Sequence, residues 1–250
     1  MLAKTYVLFT ENEKSLRYMS ECMSSLASIN TDVRPVRGVQ GFSYIELCDK
    51  LGFIPSTSKA LEANVQNIEP DGTFCCTIGH YVIWEKIASS GVPGVVLEHD
   101  AIVKGDYTNL DVNDGEILFL GPRIHMKEDY TKPDVDYEYI SIDYFEGMHA
   151  YALTSNTAQI LLDTVRSIPL EHSVDGQIAQ RNHFGLAFKT VDPPPVVAVV
   201  GERNSFTENT GIPAFYNALH TPMFLAGIKE GAIIPYLTHE LVAQQLKEIL

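Results

Sequence analysis

Two carboxylates, Glu98 and Asp100, follow directly after the apolar run 95–97, with His99 between them. The apolar run predicts a buried strand that ends at these residues. Hard cations such as Mg²⁺ and Mn²⁺ take oxygen ligands from one or two carboxylates and leave the other positions to water and substrate phosphates. The triplet therefore predicts a divalent-cation site, with Asp100 as the direct ligand and Glu98 as the second carboxylate. The alternative is that both carboxylates only end a strand and face solvent.

The composition is that of an acidic globular protein. The 250 residues are 45% hydrophobic, so we expect one sizeable domain over residues 1–250. The chain carries 18 basic and 32 acidic side chains, a formal net charge of −14. Because no cluster of lysines and arginines interrupts this acidity, the composition disfavours a nucleic-acid partner. A small neutral substrate, or one bound together with a metal ion, fits the charge better.

The cysteines and the hydropathy of the chain indicate the cellular compartment in which we expect the protein. None of the cysteines has the C-x-x-C spacing of a metal-ligand pair, and an adjacent pair cannot easily form its own bridge. These residues are Cys22, Cys48, Cys75 and Cys76. The apolar stretch 6–9 is too short for the core of a signal peptide, and no run is long enough to span a membrane. We therefore expect reduced thiols in a cytoplasmic protein without an integral membrane segment.

Strands and helices are predicted to alternate along the chain. Thr10 with Glu13 predicts a capping box before the first helix. Strands are predicted at 6–9, 94–98, 116–120, 148–153 and 196–200, helices at 78–88 and 158–165, and loops at 122–146 and 201–213. This alternation is typical of an α/β fold with a mostly parallel central sheet flanked by helices, in which ligands bind beyond the carboxyl ends of strands. The triplet at 98–100 lies at such an end.

A histidine near the start of the predicted helix at 78–88 and a cysteine just before that helix are further candidates. Cys76 and His80 are four residues apart, so their side chains can face each other. A histidine on an apolar stripe is more often a core residue than a ligand, and packing is the commoner role for Cys75 and Cys76. A cysteine-nucleophile enzyme would need an orienting third residue, and the sequence identifies none. The candidates for a third metal ligand are the later histidines His172, His183, His220 and His239.

Three segments together resemble a known family. Residues 72–80, 84–87 and 95–103 are similar, in order, to the GC-x-x-SH, W-x-K-I and LEDD motifs of glycosyltransferase family 25. This family contains lipooligosaccharide galactosyltransferases and the collagen galactosyltransferase domain. The resemblance covers roughly residues 5–205. It implies a GT-A-like nucleotide-diphospho-sugar transferase fold. It also implies transfer of a hexose, with galactose as the first candidate, from a UDP-sugar to a hydroxyl of a glycan or glycoconjugate.

The same resemblance implies a cofactor and site residues. The cofactor is Mn²⁺ or Mg²⁺. The residues that it places at the donor site are Glu98, His99, Asp100, His80 and Thr10. It also implies an acidic site residue at Asp175, which we assign as the general base that takes the proton of the acceptor hydroxyl in an inverting reaction. An aspartate that caps a helix is the alternative for Asp175.

Three positions depart from the family pattern. The central Asp of its acidic triplet is His99 here, the Ser before its histidine is Gly79, and the Asn of its opening INL motif is Phe9. The outer carboxylates are kept, so the metal prediction stands, while His99 bears on metal preference. The alternative from another class is a non-catalytic nucleotide-sugar or glycan-binding protein on the same fold. A dinucleotide oxidoreductase is disfavoured because no G-x-G-x-x-G follows the first strand.

Overall fold

The computed structural model describes residues 1–11, 13–38, 48–49, 51–55, 71–121, 123–124, 137–141, 148–170, 174, 178 and 185–199. The helices are α1 (Glu13–Ser25), followed by a 3₁₀ turn at Leu26–Ser28, α2 (Asp71–Ser90) and α3 (Ser155–Ser167). The strands are β1 (Lys4–Phe9), β2 (Asp32–Arg37), β3 (Ile54–Pro55), β4 (Gly94–Glu98), β5 (Ala101–Val103), β6 (Glu116–Phe119), β7 (Arg123–Ile124), β8 (Glu138–Ser141), β9 (Ala150–Leu153), β10 (Pro169–Leu170), β11 (Ala187–Asp192) and β12 (Val196–Val199).

A seven-stranded sheet in the order β2-β1-β4-β9-β6-β11-β8 forms the centre of the structure. β2, β1 and β4 are parallel neighbours, and so are β6 and β11. β9 runs antiparallel to both β4 and β6, and β8 runs antiparallel to β11. Five of the seven strands therefore share one direction. This confirms the predicted α/β architecture with a mostly parallel sheet, and adds two reversed strands that the sequence did not indicate.

Helices cover both faces of this sheet. Successive residues of a strand point to opposite faces, so Val96 packs in the core beneath α2 and α3, whereas Val95 and Leu97 pack in the core beneath α1. All three side chains are fully buried. The same alternation carries Glu98 to the α2 face and His99 to the α1 face. Strand alternation at the end of β4 therefore turns neighbouring residues of the triplet to opposite faces of the sheet.

Two element predictions need correction in their bounds. The helix predicted at 78–88 begins earlier, at Asp71. The segment 122–146, predicted as a loop, contains the edge strand β8. All four β8 residues are exposed. Because neither face of this strand is buried, its sequence has no alternation of apolar and polar side chains that would predict a strand. Residues 201–213 lie outside the described residues, and the single domain over 1–250 stays a prediction. Within the described part of the chain, no helix is long and apolar enough to cross a membrane.

Candidate active site

The acidic triplet and Thr10 lie at the same edge of the central sheet. β1 and β4 pair in parallel with Leu8 opposite Glu98, so both strands end at this edge. Thr10 follows β1 and is half-buried, and its backbone N–H donates to Oγ of Ser15 in α1 at 2.9 Å. The predicted donor residues at the ends of β1 and β4 are thus brought together at the carboxyl edge, where sheets of this kind bind ligands.

Glu98 is the acceptor of a buried polar network. Its Oε1 lies 3.0 Å from Nε2 of His80 and 3.6 Å from Sγ of Cys76, both on α2. Nδ1 of His80 lies 2.8 Å from the hydroxyl of Tyr151 on β9, and that hydroxyl also accepts from Nε1 of Trp84 at 2.8 Å. His80, Trp84 and Tyr151 are buried, whereas the Glu98 side chain stays 21% exposed. The network runs from the core to the solvent edge of the site.

The donors and acceptors of this network assign the tautomer of His80. The indole of Trp84 can only donate, so the Tyr151 oxygen accepts from it and the Tyr151 hydroxyl donates to Nδ1 of His80. Nδ1 is then unprotonated, and Nε2 carries the hydrogen that is donated to Glu98. In this arrangement every group has a partner of the right type. These hydrogen bonds confirm His80 as a satisfied buried histidine, and its role at the donor site stays a prediction.

The Glu98 carboxylate is ionised in this setting. Burial alone would raise its pKa, but the hydrogen bond from His80 and the positive charge that His80, His99 and His149 carry when protonated outweigh burial and lower the pKa to about 2. Both hydrogen bonds that the structure gives this carboxylate end on Oε1.

His99 and Asp100 lie on the side of α1. The His99 ring is 6.3 Å from the ring of Tyr18 between centroids. Burial lowers the pKa of His99 to about 4, with Lys14 adding to the shift and Glu98 opposing it. The pKa of the buried Cys22 thiol is raised to about 12, first by burial and then by the charge of Asp100, which puts the Asp100 carboxylate near α1. At neutral pH the triplet thus has an ionised Glu98 and a neutral His99.

Other residues at this edge were not predicted from the sequence. Arg37 ends β2 and donates to Glu11, which follows β1, and both side chains are largely buried. Trp84 and Tyr151 belong to the network, and the sequence predicted these hydrogen bonds for neither of them. Trp84 lies in the W-x-K-I motif, which is the one sequence signal that could have found it. Tyr151 becomes a neighbour of Val96 only through the insertion of β9 beside β4, which no local pattern indicates.

Several predicted residues cannot be placed. Asp175, the predicted base, lies outside the described residues, although Val174 and Ile178 beside it are helical and buried. The four candidate third-ligand histidines also lie outside them: His172, His183, His220 and His239. Among the described residues, one group of three possible ligands converges within 4.8 Å, and it consists of Cys76, His80 and Glu98. This group does not include Asp100.

Comparisons with known proteins give structural matches only. No protein-family model and no curated protein sequence matches the chain. The glycosyltransferase GlyE of Streptococcus pneumoniae is 11% identical with a TM-score of 0.43, over 84% of this chain and 58% of GlyE. A mutant of Drosophila beta-1,4-galactosyltransferase 7, in complex with manganese, UDP-Gal and xylobiose, is 11% identical with a TM-score of 0.42, over 86% and 77%. The galactosyltransferase LgtC, in complex with donor and acceptor sugar analogues, is 12% identical with a TM-score of 0.38, over 86% and 92%.

These matches have limits that their numbers define. The chain spans a little more than half the length of the two GlyE structures, 58% and 55%. All the TM-scores are below 0.5, so the likeness supports no comparison of individual residues. The case for a function has to come from the site itself.

Proposed function

We propose that the protein is a metal-dependent, inverting glycosyltransferase of GT-A-like fold, resembling family 25, which moves a hexose from a UDP-sugar to a hydroxyl of a glycan or glycoconjugate. Galactose is the first candidate for the sugar. The observation that carries the proposal is the ionised Glu98 at the carboxyl end of the interior strand β4, with Asp100 two residues on. Carboxylates at this edge are suited to hold the diphosphate of a sugar donor through a cation.

The proposed ligands of a hard divalent cation are two carboxylates, which reach the edge of the sheet from its two faces. Among the described residues, the Glu98 carboxylate accepts both of its side-chain hydrogen bonds at Oε1, and Asp100, two residues on, is half-buried. Asp100 would be the direct ligand of Mn²⁺ or Mg²⁺, and Glu98 would reach the cation through water or contact the ribose. The bound cation would supply charge neutralisation for the departing diphosphate.

His80 has a positioning role in this proposal. Its hydrogen bond to Oε1 fixes the rotation of the Glu98 carboxylate, and the hydroxyl of Tyr151 fixes the rotation of the His80 ring. Because all three elements, α2, β4 and β9, pack in the core, the carboxylate is held before the donor arrives. His99 and Thr10 complete the proposed donor site at the same edge.

Asp175 is the proposed general base, which takes the proton from the acceptor hydroxyl as that oxygen attacks the anomeric carbon. Asp175→Asn should lower the transfer rate and leave the affinity for UDP-galactose unchanged. NMR of the first product formed should show an inverted anomeric configuration. Retention of configuration would remove Asp175 as a simple base.

A non-catalytic nucleotide-sugar or glycan-binding protein is the second candidate. The observation that favours it is His99, which is neutral at pH 7 where the family resemblance expects an aspartate. The triplet thereby loses one of three negative charges, and its attraction for a cation weakens.

Release of UDP separates the two candidates. Purified protein is incubated with UDP-galactose or UDP-glucose, with and without Mn²⁺, and free UDP is measured over time with a panel of glycan acceptors. The transferase proposal predicts release that needs Mn²⁺ and that an acceptor accelerates. Binding of UDP-sugar without release, with every acceptor, would favour the binding protein.

A further inference from the structure

Three different ligand atoms converge beneath the proposed donor site. Sγ of Cys76, Nε2 of His80 and Oε1 of Glu98 all lie within 4.8 Å of one another. Two of the separations are 3.0 Å, from Oε1 to Nε2, and 3.6 Å, from Oε1 to Sγ. One turn of α2 sets the spacing of the cysteine and the histidine, and the end of β4 brings the carboxylate to them. The group is therefore held by rigid elements.

These separations approach those of a tetrahedral zinc site. Zinc binds sulfur at about 2.3 Å and histidine nitrogen or carboxylate oxygen at about 2.0–2.2 Å. A tetrahedron with such bonds places its ligand atoms about 3.3–3.7 Å apart. The separation from Oε1 to Sγ, 3.6 Å, lies in this range, and the separation from Oε1 to Nε2, 3.0 Å, lies just below it. The third separation, between the cysteine and the histidine, is at most 4.8 Å, so side-chain rotations would bring the three atoms around an ion.

We propose that Cys76, His80 and Glu98 bind a zinc-type transition-metal ion, at a site that shares Glu98 with the proposed donor site and does not include Asp100. A thiolate, an imidazole and a carboxylate form a donor set that favours Zn²⁺ over Mg²⁺ or Mn²⁺. Three protein ligands leave the fourth position open, as in zinc sites that bind water or substrate. The partial exposure of Glu98 puts that open position at the solvent edge.

Binding changes protonation and involves no electron transfer. The Cys76 thiol loses its proton to solvent as the zinc–sulfur bond forms. The hydrogen on Nε2 of His80 has to move to Nδ1, where it is donated to the Tyr151 oxygen, so that Nε2 can bind the ion. The Tyr151 hydroxyl hydrogen then loses its acceptor on His80. One proton is therefore released for each ion bound, and the affinity rises with pH.

The test must separate this site from a purely hydrogen-bonded network with the same geometry. Protein treated with EDTA and a phosphine reductant is titrated with Co²⁺ and, separately, with Zn²⁺. We expect one Co²⁺ per chain with the sulfur-to-cobalt charge-transfer band in the near ultraviolet, and a higher melting temperature with Zn²⁺. Calorimetry in buffers of different ionisation enthalpy should give one proton released per Zn²⁺.

Adjacent cysteines provide a matched pair of variants. Cys76→Ser should abolish the charge-transfer band and weaken Zn²⁺ binding by at least about 100-fold, a larger loss than that of an outer-shell partner. Cys75→Ser, one residue away, should keep both. Absence of the band in the wild type, or its persistence in Cys76→Ser with equal intensity, would overturn the proposal.

A third variant keeps this inference distinct from the proposed function. Asp100→Asn should retain the Co²⁺ band while it loses Mn²⁺-dependent binding of UDP-galactose. Loss of the band in Asp100→Asn would show that the two sites are one, and would overturn the zinc-type site as described. Failure of UDP-sugar binding in the wild type, with the band intact, would count against the transferase alone.

Discussion

Replacement of Tyr151 by phenylalanine removes the centre of the buried network and little else. The Tyr151 hydroxyl accepts from Nε1 of Trp84 and contacts Nδ1 of His80, both at 2.8 Å. All three side chains are at most 1% exposed, so water cannot replace the lost hydroxyl. Phenylalanine fills the same volume apart from one oxygen, so no large cavity forms.

The expected loss of stability follows from the groups left behind. A buried donor or acceptor without a partner costs about 1–3 kcal/mol, and Tyr151→Phe leaves two of them, for a total of about 2–6 kcal/mol. The matched control is Tyr107→Phe, which is also fully buried in the structure. The hydroxyl of Tyr107 bonds Oγ1 of Thr5 at 2.8 Å, and Thr5 keeps a second partner in Thr31 at 2.9 Å. The control should therefore cost only about 0.5–1.5 kcal/mol.

Equilibrium unfolding in urea measures both variants. Trp84 is the only tryptophan of the chain, so its fluorescence reports on the network directly. In Tyr151→Phe the indole loses its hydrogen-bond acceptor, and the native emission should shift to shorter wavelength; in Tyr107→Phe it should not. Equal losses of stability in the two variants, with no shift of emission, would refute the hydrogen-bond network as described.

Three further predictions concern the surroundings of the site. His99 has a pKa of about 4 in the folded protein, against an ordinary value of 6.5. Stability that is present above pH 6.5 is therefore lost as the pH falls toward 4, by about 3 kcal/mol. Urea unfolding in EDTA should show this loss in the wild type and not in His99→Gln, and parallel pH profiles of the two proteins would contradict it. Cys22 is buried, with a pKa of about 12. In the native protein, iodoacetamide should therefore label Cys76 well before Cys22, as read by mass spectrometry. Prompt labelling of Cys22 would contradict its burial. Gly79→Ser would bring a Cβ to 2.6 Å from Cδ1 of Leu8. We expect a net loss of stability of about 1–2 kcal/mol, because overpacking costs more than the gain of up to about 1 kcal/mol in helix propensity. Thermal unfolding should show a smaller loss of stability in a Leu8→Ala background, and equal losses in both backgrounds would contradict the contact.

The contact at Gly79 also gives a physical reason for one departure from the family pattern. The serine of the GC-x-x-SH motif cannot stand at this position unless Leu8 of β1 moves. The small residue therefore lets α2 approach the sheet closely. Nothing in the structure explains why the central residue of the acidic triplet is His99.

The fold was largely predictable because its buried elements carry strong patterns. The bounds of β4 agree with the predicted 94–98, since a run of valine and leucine between a proline and a charged triplet is distinctive in both type and ends. Helix α3 shows the predicted buried stripe, and Thr154 caps it by accepting from the backbone N–H of Thr157. The exposed strand β8 has no such pattern, and its place at the sheet edge is fixed by pairing with β11 alone.

The site was predictable only in part, for reasons of chain topology. The acidic triplet marks the end of β4 in the sequence. Successive side chains of a strand point to opposite faces, however, so Glu98 and His99 meet different partners, on α2 and α1 respectively. The bonds from Glu98 to Cys76 and His80 span 22 and 18 residues. They depend on the packing of α2 against the sheet, which spacing along the chain cannot specify. Tyr151 is even more distant along the chain from Glu98, and its place beside the site depends on the pairing of β4 with β9 in the sheet.

Calorimetric titration with UDP-galactose, in the presence and absence of Mn²⁺, tests the central claim most directly. The site at the end of β4 predicts that the wild type binds the donor only with Mn²⁺, and that Asp100→Asn loses this binding while it melts at the temperature of the wild type. The control Asp163→Asn, an exposed aspartate on α3 away from the site, should bind as the wild type does. Equal affinity of Asp100→Asn and the wild type in Mn²⁺ would contradict the assignment of the donor site to the acidic triplet.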